Sequence, residues 1–201
     1  MSKAEVHAIE PAETPLTPES WGKLGMWVFL AGDAMSFGVI LAVYGVLRSG
    51  DPHWPNPKEV LGINLTAFMT FLLICSSLTM VKALEAVKKG DQAGLKKFLG
   101  LTILGGAAFL GMQAYEWTHL IEHRLPEVSL GFAHDLFSST FFILTGFHGC
   151  HVLGGVIYLS CILAHAGNYG PERHNPVEIV GLYWHFVDLV WILVFTFVYL
   201  V

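Results

Sequence analysis

Five apolar runs, each long enough to cross a bilayer and each free of proline, dictate most of what this chain can become. They cover about residues 24–47, 61–81, 98–117, 136–164 and 179–201. At about 1.5 Å of rise per residue, roughly 20 residues span a hydrocarbon core of about 30 Å. The nine prolines, at positions 11, 15, 18, 52, 55, 57, 126, 171 and 176, all fall before or between the runs. Uninterrupted helices with short connections need that punctuation. A transmembrane barrel would show short alternating segments, and these runs do not alternate. Charged residues make up 13% of the 201 positions, against about a quarter in ordinary soluble domains. The expected fold class is therefore all-α, a polytopic membrane protein whose five transmembrane helices occupy residues 21–201.

Orientation follows from the basic residues. With the N-terminus in the cytoplasm, Lys3, Lys23, Lys82, Lys88, Lys89, Lys96, Lys97 and Arg173 lie inside. Only Arg48, Lys58 and Arg124 lie outside. Excess Lys and Arg mark the cytoplasmic side, and the Lys88–Lys97 stretch suits anionic head groups there. Residues 1–20, MSKAEVHAIEPAETPLTPES, are acidic and proline-rich with no basic n-region or apolar h-region. They are expected to be a flexible cytoplasmic tail and not a signal peptide. A net charge of −5 gives no reason to expect nucleic acid as a partner. Cys75, Cys150 and Cys161 sit in apolar runs without CxxC spacing and are expected to be buried small apolar residues. No GxxxxGK loop, GxSxG elbow or internal repeat is present, so nucleotide, hydrolase and inverted-repeat transporter chemistry have no foothold.

Polar residues at membrane depth carry what remains. Intramembrane acids are costly and become functional candidates by default. Asp33, in LAGDAMSF, lies about 14 Å into the first run at 1.5 Å per residue, and only Ser36 shares its face as a polar neighbour. Glu116 lies near the outer end of the third run, where solvation or a loop partner would suffice. Asp188 stands mid-way along the fifth, with Trp184, His185 and Trp191 at helical spacing as local donors. His148 and His151, in TGFHGCHVLGG, share one helix face. A haem held by two histidines would need His185 opposite one of them. Copper or zinc would need three or four ligands. Gly146, Gly149, Gly154 and Gly155 thin the fourth helix, as Gly22, Gly25, Gly32 and Gly38 thin the first, and small residues let membrane helices approach closely. A packed surface with histidines donating to carbonyls, acids or lipid fits better than a cofactor box.

Longer strings carry a family resemblance. SSTFFILTGFHGCHVLGGVIYL (138–159), followed by VEIVGLYWHFVDLVWILVFTFVYL (177–200), resembles the last two helices of subunit III of the haem–copper terminal oxidases. KLGMWVFLAGDAMSFG (23–38) and LGMQAYEW (110–117) resemble the family's earlier helices, and five helices correspond to its short bacterial form. The resemblance implies an accessory subunit in the bacterial inner membrane, with no catalytic residue, metal or cofactor of its own. Haem and copper would lie in partner subunits I and II. This chain would pack on subunit I and hold structural phospholipids in a cleft between its first two helices and its last three. It would also help sustain proton uptake. Asp33, which stands where the family usually has glutamate, is a proton-uptake or lipid-cleft candidate with Glu116, His148 and His151. Trp184, His185, Asp188, Trp191, Gly146 and Gly149 are implied to be structural. Other readings are a quinol oxidase or nitric-oxide reductase complex, a stand-alone proton or ion transporter using Asp33, Glu116 and Asp188, and a b-type cytochrome using His148, His151 and His185.

Overall fold

The computed structural model describes residues 21–50, 54–56, 61–124 and 136–201. The expected tail, 1–20, lies outside the described residues. Among those described there is no strand, and five long helices carry the fold: α1 (Trp21–Gly50), α2 (Ile63–Lys88), α3 (Gln92–His119), α4 (Leu136–Ala164) and α5 (Asn175–Val194). α3 and α5 run on into wider π turns, Leu120–Arg124 and Phe195–Leu200. All five are long and apolar enough to cross a membrane.

Helices outrun the apolar segments where polar residues can close their ends. α2 continues to Lys88, with Glu85 taking Lys82 at 3.0 Å and Lys89 at 2.6 Å. It stops at Gly90, whose φ of +76° suits glycine and few other residues. The Gly90 N–H donates to the Val87 carbonyl and the Asp91 N–H to the Ala86 carbonyl, the paired bonds of a glycine-terminated helix. Asp91 then caps α3, its Oδ1 accepting from the Gly94 N–H at 2.9 Å. So short a turn commits α2 and α3 to lie side by side and antiparallel.

Helices α2 to α5 form a four-helix bundle, and α1 lies outside it against α4 and α5. The expected grouping set the first two helices apart from the last three. The structure corrects it: α1 alone stands apart. The tight α2–α3 turn is one cause, and a row of bonds from α2 to α5 is the other. Trp184 Nε1 donates to Ser76 Oγ at 3.1 Å, and Trp191 Nε1 to Thr70 Oγ1 at 2.9 Å. Ser77 Oγ meets His185 Nδ1 at 2.6 Å. Lipid tails are as apolar as leucine, so interhelical bonds and close packing hold such a bundle together.

Trp184 is its keystone. A Cβ on Gly106 of α3 would come 2.5 Å from Trp184 Cη2, and one on Gly155 of α4 would come 2.9 Å from Cε3. Both glycines are clearance for an indole. On α1 the expected close approach is not made among the described residues, where Gly25, Gly32 and Gly38 have nothing within 4 Å. The cysteines also differ from expectation. Cys75, Cys150 and Cys161 are free and exposed on the outside of the bundle. A small apolar residue is as well placed against lipid as in a core.

Candidate functional site

α1 buries Leu30, Phe37 and Tyr44, one residue every second turn, which makes a narrow apolar stripe. Polar ties at three levels add to it. Near the N-terminal end Lys23 Nζ meets Glu178 Oε1 at 3.2 Å. At the far end Arg48 donates to the Val201 carbonyl, and the Tyr44 ring stands 5.4 Å from that of Trp54. Between them, Asp33 Oδ2 lies 3.1 Å from His151 Nε2 on α4. The two side chains are 14% and 13% exposed, so the contact is largely shielded.

The partners of His151 locate its protons. Nδ1 lies 2.8 Å from the Phe147 carbonyl oxygen. A carbonyl can only accept, so Nδ1 carries a hydrogen. Nε2 then bears one only if the ring is an imidazolium. The contact with Oδ2 joins an acid of α1 to an imidazole of α4. Such a pairing gives an acid at membrane depth a polar partner and does not leave it isolated in hydrocarbon. Phe147 and Phe37 flank the imidazole at 4.6 and 5.2 Å between ring centroids. The Tyr183 hydroxyl of α5 donates to the His151 carbonyl at 2.9 Å and steadies the backbone behind it.

The other candidates are separated from this pair. His148 is fully buried, and neither ring nitrogen has a hydrogen-bond partner among the described residues. Its ring lies against Trp191 at 4.7 Å and edge-on to Phe109 at 5.6 Å. His185 turns to Ser77 on α2, so the three histidines occupy three different surroundings. Among the described residues no group of three or more His, Cys, Asp or Glu is placed to hold a metal.

Glu116 is 5% exposed, and its partners come from helices, not from solvent or a loop. Oε1 accepts from Thr66 Oγ1 at 2.8 Å and Oε2 from the Tyr199 hydroxyl at 3.1 Å. The π turn that ends α5 is what presents Tyr199. Asp188 was expected to be satisfied by the rings of its own helix. Those rings instead reach hydroxyls of α2, and Asp188 Oδ1 is buried with no hydrogen-bond partner among the described residues. Gly146 lies beneath Trp117 of α3, and Gly149 beneath Gln113.

Sequence reasoning did not pair Asp33 with His151, although depth offered a signal. Asp33 is 12 residues from the start of α1 and His151 is 13 from the end of α4. At 1.5 Å per residue these are depths of about 18 and 20 Å, and alternating helices bring those two ends to one side.

Residues 21–201 match the family described as Cytochrome c oxidase subunit III. The chain is 35% identical over 179 residues to cytochrome c oxidase subunit 3 of Alkalihalophilus pseudofirmus, covering 88% of this chain and 85% of that one. It is 38% identical over 180 residues to cytochrome c oxidase subunit 3 of Synechocystis, covering 88% and 74%. To quinol oxidase subunit 3 of Bacillus subtilis it is 36% identical over 179 residues, covering 88% and 85%.

Proposed function

We propose, from the premise that the chain belongs to the cytochrome c oxidase subunit III family, that it sustains proton supply to the subunits of a haem–copper oxidase where oxygen is reduced. It is a multi-pass subunit of such an oxidase, of the cytochrome c or the quinol type. On this reading it carries no redox centre, and haem and copper belong to partner subunits I and II. It packs on subunit I in the bacterial inner membrane. Phospholipid lies beside α1, a place supported by the open space around Gly25, Gly32 and Gly38.

The observation that carries the reading is the Asp33–His151 contact at 3.1 Å between α1 and the bundle. With the N-terminus in the cytoplasm the pair lies in the inner half of the membrane. Oxygen reduction draws protons from that side, so an acid–imidazole pair there can buffer the entry region without conducting protons itself. The quinol type is an equal second reading, since the quinol oxidase relative is as similar as the cytochrome c oxidase ones.

Gentle affinity isolation of the chain from its native membranes tests the assignment, with an optical spectrum and subunit identification of the eluate. A haem spectrum arriving with a large partner, and lost when this chain is stripped away alone, is expected. A colourless eluate holding only this chain would refute it, and haem staying on the isolated chain would make the histidines ligands.

A further inference from the structure

The seam between α2 and α5 carries an imidazole at mid-membrane. His185 is 10 residues from the start of α5 and Ser77 is 11 from the end of α2, depths of about 15 and 17 Å at 1.5 Å per residue. That is about halfway through a hydrocarbon core of roughly 30 Å. His185 Nδ1 is occupied by Ser77 Oγ at 2.6 Å. Nε2 has no hydrogen-bond partner among the described residues, and unlike the nitrogens of His148 it is not enclosed by the protein. The ring is only partly buried. Ile74 and Val81 stand three residues before and four after Ser77, and Leu182 and Leu189 stand likewise about His185. Each pair therefore shares a face with its polar residue. Ile74, Val81 and Leu189 are 44%, 48% and 57% exposed. Trp184 and Trp191 turn the other way, into the bundle. α1 packs on α4 and α5 and leaves this apolar seam open.

We propose that this seam receives a transmembrane helix of a partner subunit, which presents a hydroxyl or amide side chain to His185 Nε2. The inference rests on the oxidase-subunit reading and names the face by which the chain joins its complex. A polar atom left facing hydrocarbon is costly, and ionisable side chains at membrane depth face a partner. Lipid does not supply one here. Its tails offer no hydrogen bond, and its head groups lie about 15 Å away at either surface. A second copy of this chain does not supply one either. Both rings would be fixed by the same Ser77 contact and carry their hydrogen on the same nitrogen. Two donors or two acceptors do not pair. A hydroxyl or an amide both donates and accepts, so either answers Nε2 in whichever tautomer Ser77 selects. These are also the side chains that join helices within membranes. Rows of exposed side chains with a groove between them are what a third helix packs into. One polar group in an apolar seam fixes the register of that helix.

A benzophenone amino acid is placed at Leu189, or at Leu78, of the full chain in its native membranes. Leu104, exposed on α3, is the control position. After irradiation the cross-linked peptides are identified by mass spectrometry. Links from Leu189 and Leu78 are expected to reach a partner subunit's transmembrane segment with Ser, Thr, Asn or Gln at mid-depth, and links from Leu104 to be weaker. His185→Leu is expected to retain roughly fivefold less of that partner through a detergent wash, the worth of one hydrogen bond. His185→Gln carries an amide to the reach of Nε2 and is expected to retain most of it. Ser77→Ala removes the bond inside this chain alone. A loss with Ser77→Ala equal to that with His185→Leu would make His185 an internal brace and overturn the proposal. Links to lipid alone, or to a second copy, would overturn it as well. Links from Leu104 alone into a haem-bearing complex would overturn this face and leave the oxidase assignment standing. An eluate without a haem-bearing partner would overturn that assignment, and this inference with it. If His185→Leu does not fold, the cross-links on the chain that keeps His185 decide alone.

Discussion

Gly106→Ala adds one methyl group at the point where α3 meets the indole of Trp184. That Cβ would stand 2.5 Å from Trp184 Cη2 and 2.8 Å from Val156 Cγ2, against ordinary carbon contacts of about 3.5–4.0 Å. About 1 Å of clearance is missing. The indole cannot supply it by moving toward α4, because the backbone of Gly155 already lies close beneath its other side. Nor can it tilt freely, since Nε1 is held by Ser76 Oγ at 3.1 Å. α3 must shift, or that bond must break. Overpacking a closed core costs about 1–3 kcal/mol, and a lost hydrogen bond adds about 0.5–1.5 kcal/mol. The better helix propensity of alanine returns up to about 1 kcal/mol. The net expectation is about 1–3 kcal/mol of destabilisation, roughly a 5- to 150-fold change in the unfolding equilibrium at about 1.4 kcal/mol per tenfold. Gly111→Ala is the matched control, on the same helix with nothing within 4 Å. It should be neutral or slightly stabilising. Titrating the purified protein from mild detergent into dodecyl sulfate, with tryptophan fluorescence as the signal, measures both. Equal midpoints for the two variants would refute the argument that Gly106 exists to clear Trp184.

Asp33→Asn keeps the volume and lets an amide N–H still donate to His151 Nε2, but removes the titratable acid. The oxidase complex should assemble normally and lose activity progressively over many turnovers of oxygen consumption, and undiminished long-term turnover would confine Asp33 to packing. Glu116→Leu strands the Tyr199 hydroxyl, deprived of its buried acceptor at about 1–3 kcal/mol, while the Thr66 hydroxyl falls back on the Gly62 carbonyl at 3.1 Å. Glu116→Gln retains an acceptor oxygen and should be clearly more stable in the same detergent titration. A Leu variant as stable as the Gln variant would show that those two bonds contribute nothing.

How much of this was legible beforehand depends on what each feature requires. Five helices follow from chain-local facts: an apolar run must satisfy its backbone internally in lipid, and proline cannot stand inside it. The same economy made Asp33, Glu116 and Asp188 candidates, because an acid in hydrocarbon must find something to justify it. What each one found was hidden. Asp33 meets His151 across 118 positions of sequence, Glu116 draws Thr66 and Tyr199 from two different helices, and Trp184 and Trp191 pass over the acid on their own helix to reach α2. Periodicity names a face but not its neighbour. The glycines show the same division. Gly106 and Gly155 enclose a tryptophan while Gly25, Gly32 and Gly38 meet nothing among the described residues. Identical residue types acquire opposite roles according to which helix lies opposite. Sequence alone therefore determined the number of helices, the apolar stretches they are built around and the family, because those depend on local chemistry and on strings of adjacent residues. Only the tertiary structure decided that α1 stands outside a bundle of four and that an acid and a histidine meet there. Both are consequences of which surfaces touch, and contact between helices is a property of three dimensions that no single run of residues contains.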